Sequence, residues 1–89
     1  DLVGAEKNLR EAMRIEPRYI DIYYSLACLL AHQGRRAEAI EVIDLGLAVD
    51  RYTVNDRTVA SELAKMKKSL QQPKDGAVTA AGNAAAKKK

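Results

Sequence analysis

The feature that most limits what this chain can fold into is an internal period of 34 residues. Shifted by that distance, the sequence lays Ala5 on Ala39, Leu9 on Ile43, Ala12 on Gly46, Met13 on Leu47 and Glu16 on Asp50, with Pro17 opposite Arg51. Small side chains fall on small ones and large on large. A fixed period of this length marks stacked units that cannot bury their own apolar faces and rely on a neighbour to do so. With 89 residues there is room for one such unit and its flanks.

Each segment inside the period reads as helix. Val3, Leu9, Ala12, Met13 and Ile15 are spread among charged residues over 3–16, ending at Pro17, which disfavours helical backbone in Glu16. Over 19–33, Tyr23, Leu26, Ala27 and Leu30 follow i, i+3, i+4, i+7 and run up to Gly34, a residue suited to a left-handed helix end. Over 35–49, Ala39, Ile40, Ile43 and Leu47 supply a stripe, and the turn before them is so short that the two helices must be antiparallel. A last helix over 55–70 carries Val59, Leu63, Met66 and Leu70, with Thr53 and Asp56 spaced as a capping pair. The expected class is all-α, about four helices in antiparallel hairpins. Residues 1–72 form the expected domain. The rest, PKDGAVTAAGNAAAKKK, has one Val and nothing larger that is apolar, so 73–89 is expected to be a disordered Ala/Lys-rich tail.

Aromatic residues make up 4% of the chain and all are Tyr, so the core must come from aliphatic side chains. One Cys and one His exclude an intramolecular disulfide and a Cys/His zinc site, and no cofactor or metal is expected. A lone thiol fits the reducing cytoplasm, the expected location. No apolar run approaches the roughly 20 residues that span a bilayer. The chain starts at Asp1 without Met and is expected to be part of a longer protein. Its net charge of +3 is unevenly placed: residues 1–52 have seven Lys/Arg against nine Asp/Glu, and 53–89 have eight against three.

Residues 20–53 resemble one complete tetratricopeptide repeat. Tyr23 stands at the Trp position, Leu26 and Ala27 at Leu-Gly, Leu30 at Tyr, Gly34 at the turn, and Ala39, Ile43 and Gly46 at Ala, Phe and Ala. Leu30 and Ile43 keep the apolar character without the ring, and Arg51 replaces the usual Pro. Residues 1–19 look like the second helix of a preceding repeat, with Pro17 at its proper place. After Thr53 the likeness fades: Arg57, Ala60, Ser61 and Ala64 replace large apolar residues, and Lys68 stands where the turn glycine belongs. That helix reads as a cap.

The resemblance implies a structural role for Tyr23, Leu26, Ala27, Leu30, Gly34, Ala39, Ile43, Gly46 and Pro17, and Ile40 is expected to help fill the space between the helices. It also implies a scaffold or adaptor, not an enzyme, that holds a peptide or helix of another protein on the first helices of its repeats. The groove candidates are Asp21, Tyr24, Cys28 and His32, with Asn55, Thr58, Glu62 and Lys65 from the cap helix. The spacing i, i+3, i+7, i+11 independently puts the first four on one stripe. Two plainer readings stand beside this: Tyr24 packs against the cap helix and Cys28 is a small buried residue, while His32 is a solvated group near a helix C-terminus. A catalytic Cys28–His32 pair lacks an orienting group and an oxyanion donor.

Relatives that grip the carboxylate tails of chaperones use Lys and Asn where this chain has Tyr24, Cys28, Thr58 and Glu62, so such tails are not expected ligands. An alternative is a homodimer through an open apolar edge at Leu2, Val3, Leu9 and Met13. A lesser one is an acidic partner or nucleic acid on Lys65, Lys67, Lys68, Lys74 and Lys87–Lys89. No aromatic is interleaved among these lysines, which makes nucleic acid an unlikely ligand.

Overall fold

The computed structural model describes residues 1–72. The expected tail at 73–89, with its lysines, lies outside the described residues. Four helices follow one another: α1 (Leu2–Ile15), α2 (Ile20–His32), α3 (Arg36–Leu47) and α4 (Val54–Gln71). The described residues contain no strand. The expected boundaries shift by one or two residues, because Tyr19 and Arg35 are the N-caps of α2 and α3 and not their first helical residues.

Local chemistry sets each end. Asp1 caps α1, its carboxylate accepting from the Val3 amide at 3.2 Å. Pro17 stops that helix, and its carbonyl accepts a hydrogen bond from Tyr23 Oη, fixing the α1–α2 corner to the first turn of α2. At the end of α2, Gly34 takes φ +76°. Its amide donates to the Ala31 carbonyl at 3.0 Å and that of Arg35 to Leu30 at 2.9 Å. This paired closure leaves two otherwise orphaned carbonyls satisfied. Thr53 and Asp56 form a reciprocal capping box at the start of α4: Thr53 Oγ1 accepts from the Asp56 amide at 2.9 Å, and the Asp56 carboxylate accepts from the Thr53 amide at 3.1 Å.

α2 is the centre of the unit and touches all three other helices. It contributes Ile20, Tyr23, Leu26, Ala27 and Leu30 to the core, α3 adds Ala39, Val42 and Ile43, and α4 adds Ala60 and Leu63. Full burial of Leu63 is worth roughly 1.5–3 kcal/mol and is the main hold on α4. Gly46 is where three helices converge. A Cβ built there would lie 2.7 Å from Tyr23 Cβ on α2 and 2.9 Å from Leu63 Cδ1 on α4. Ile40 does not take its expected place between the helices and is only half-buried. The buried side of α3 runs Ala39, Val42, Ile43, Gly46, which turns Ile40 to the margin and brings in Val42.

α1 has no fully buried residue. Leu9 and Met13, one turn apart, pack on the core. Val3, expected at an open apolar edge, and Ile15 are 76% and 59% exposed. A contact through a single i, i+4 stripe leaves the rest of the helix in water. Charge supplements it. The Arg35 guanidinium lies 2.6 Å from Glu6 and 2.7 Å from Glu38, and Arg10 reaches Glu6 at 2.9 Å. Arg35 and Arg10 hold the Glu6 carboxyl well below its usual range, at about 2.

Candidate partner-binding face

The first helices of successive units, α2 and α4, lie in contact and bring the candidate residues onto one strip. At its N-terminal end Asn55 Nδ2 donates to Asp21 Oδ2 at 3.3 Å, with Oδ1 at 3.5 Å. Asp21 is half-buried and Asn55 exposed. These residues stand one period apart, so the bond links equivalent positions of neighbouring units.

One turn along α2, Tyr24 is half-buried and packs on the core. It is therefore both a packing residue and a partly open one, and the two readings of its role are compatible. Charge repulsion from ionised Cys28 is the main cause that raises the Tyr24 pKa, with desolvation and the Glu62 carboxylate acting in the same direction. Cys28 is exposed, contrary to the plainer reading of it as a small buried residue. Among the described residues it is a free thiol.

The other candidates are less closely joined. Thr58 turns its hydroxyl back to donate to the Val54 carbonyl at 3.0 Å. Lys65 meets Glu62 at 3.4 Å, with both side chains largely in water. His32 is exposed in the last turn of α2, about 16 Å along the helix from Asp21 by the rise per residue. Its side chain makes no hydrogen bond or ion pair among the described residues. Lys67, from the basic alternative, reaches Asp44 on α3 at 2.6 Å.

The described residues form no pocket and gather no group of three or more His, Cys, Asp or Glu side chains suited to a metal. No described helix is long and apolar enough to cross a membrane. The strip is an open surface.

An antiparallel hairpin flanked at a fixed period by a second-type helix on one side and a first-type helix on the other defines an α-helical repeat protein. The family model for the tetratricopeptide repeat matches residues 1–52, and the chain belongs to that family. No curated protein and no solved structure matches it. The family is one of protein-interaction modules, typically without catalytic activity.

Proposed function

We propose that the chain is a scaffold or adaptor whose α2–α4 strip receives a peptide or helix of a partner protein. The observation that carries this is the half-buried Tyr24, anchored on the core and open on the strip where both helices contribute polar groups. A tyrosine so placed offers flat contact area at low entropic cost, and the polar neighbours fix register. The test is selection of binders from a displayed random-peptide library on the whole chain, followed by titration of the best binders. Tyr24→Ala is expected to weaken them at least about tenfold while helicity and unfolding temperature hold, the scale of a central aromatic contact. Undiminished binding to that variant, or a selection that returns no binder, overturns the reading.

A second reading is favoured by α1. Leu2 and Val3 are 49% and 76% exposed, and Ile15 projects from the same helix. Leu9 and Met13, also expected at this edge, pack inward and leave the other three as the free part. Homodimerisation across α1 follows from this reading. Sedimentation equilibrium tests it, with dimer expected for the native chain and monomer for Val3→Glu; a native chain that is monomeric at all concentrations removes it.

A further inference from the structure

The side of α1 turned away from the core carries one ordered line of side chains. Val3, Lys7, Glu11 and Ile15 follow at intervals of four residues, the spacing of a single ridge on a helix surface. Lys7 and Glu11 each stand two residues from Leu9, which packs on the core, and so lie about 200° round the helix from it. All four are exposed, Val3 at 76% and Ile15 at 59%. Apolar side chains thus hold the two ends of the ridge, and opposite charges hold its middle.

Read backwards, this order is its own complement. When a second α1 is laid against the first in the antiparallel sense, Val3 comes opposite Ile15 and Lys7 opposite Glu11, and each pairing occurs twice. A parallel copy would set lysine on lysine and glutamate on glutamate. Ridges of this spacing line up when two helices cross at about −50°, the commonest packing class. Arg14 grips both oxygens of Glu11 from within the helix, at 3.2 and 2.6 Å. An ionised carboxylate still has acceptor positions left for a second cation. Arg14 itself comes opposite Gly4, where no side chain obstructs it and where the Asp1 carboxylate lies close, 3.1 Å from a Cβ built on that glycine. Lys7 joins no ion pair among the described residues.

We infer that α1 pairs with the α1 of a second copy in an antiparallel, two-fold contact whose register is set by Lys7 against Glu11. This rests on the dimer reading of α1 above and adds to it the orientation and the residues that select it. The apolar ends supply attraction, which has no preferred direction. The charges supply the direction, because they are matched in one orientation and opposed in the other. The occupant is a second copy because the order that matches the ridge is the ridge's own order reversed, which a two-fold axis delivers.

The experiment is sedimentation equilibrium on the whole chain over the widest accessible concentration range, with helicity followed by circular dichroism. It compares the native chain, Lys7→Glu, Glu11→Lys, an equimolar mixture of these two variants, and the double exchange carrying both substitutions. The native chain is expected to dimerise. Each single variant makes both charge pairs repulsive and should dimerise about tenfold more weakly, the effect of two exposed ion pairs lost together. The mixture restores both pairs between unlike copies and the double exchange restores them between like ones, so both should regain near-native association. A variant whose α1 had merely unravelled would not be rescued by mixing. Single variants that associate as the native chain does, or a mixture and a double exchange that stay weak, overturn the register; the dimer reading then stands if Val3→Glu still gives monomer. A native chain that stays monomeric throughout overturns both.

Discussion

Asn55 donates to Asp21 across 34 residues of sequence, joining the first turn of α4 to the first turn of α2. Both ends of the bond are wet, and the net worth of such a bond is about 1 kcal/mol or less. Asn55→Ala is therefore expected to leave the unfolding midpoint nearly unchanged. Its effect should be local, as faster amide exchange in the first turn of α4, measured by hydrogen–deuterium exchange. A large loss of global stability would mean that the contact does more than align two helices.

Gly46 and Gly34 should respond to alanine for different reasons. At Gly46 the added Cβ meets Tyr23 Cβ, close to the backbone of α2 and unable to rotate away, as well as Leu63 Cδ1, which can turn. Overpacking costs about 1–3 kcal/mol. The better helix propensity of alanine offsets about 1 kcal/mol of it. A net loss of up to about 2 kcal/mol is expected by urea denaturation. At Gly34 nothing lies within 4 Å of the new Cβ, so only the left-handed backbone resists, at about 1 kcal/mol.

Acid should loosen α1 first. The Glu6 pKa falls from 4.5 to about 2 in the folded chain, through hydrogen bonds from Arg35 and then Arg10. A carboxylate held below its unfolded value stabilises the fold above about pH 4.5, and that stabilisation is lost as pH falls toward 2. Glu38, Glu11 and Asp56 are shifted in the same direction, the first two by Arg35 and Arg14 and the third by the Tyr52 amide. Glu6→Gln should be less stable than the native chain at pH 7 and show a shallower decline between pH 4.5 and 2. Parallel pH profiles for the two chains would remove Glu6 from this role.

Leu63 should matter most to the attachment of α4. It is fully buried at the meeting of α2, α3 and α4. Leu63→Ala is expected to cost about 2–5 kcal/mol in chemical denaturation. Thr53→Ala removes half of the capping box and should cost only about 1 kcal/mol, by the same measurement. The reverse order would place the hold on α4 in its cap and not in its packing.

The repeat made most of this fold legible. Tyr23, Leu26, Ala27, Leu30, Ala39, Ile43 and Gly46 were expected inside, and all are buried. Gly34 was expected at a left-handed turn and occupies one. Periodicity does not fix the rotation of a helix within its stripe, and so Ile40 was expected where Val42 packs. It also cannot tell which apolar residues of α1 face the core: of the expected open edge, Leu2 and Val3 reach water while Leu9 and Met13 pack inward. On the candidate face, the stripe from Asp21 to His32 followed from spacing. The bond from Asn55 to Asp21 was latent in the period. The packing of α4 on α2 through Ala60 and Leu63 depends on how the two helices are set against each other, which no single segment encodes.

The cap helix turns Arg57, Ser61 and Ala64 outward at positions where the complete repeat carries Tyr23, Ala27 and Leu30. α1, at the opposite end, shows Leu2, Val3 and Ile15 to water. The two described ends therefore differ in the side chains they show to water, and the body has a direction. Two copies that met face to face through α1 would cover those apolar residues in one closed contact, an arrangement that does not propagate.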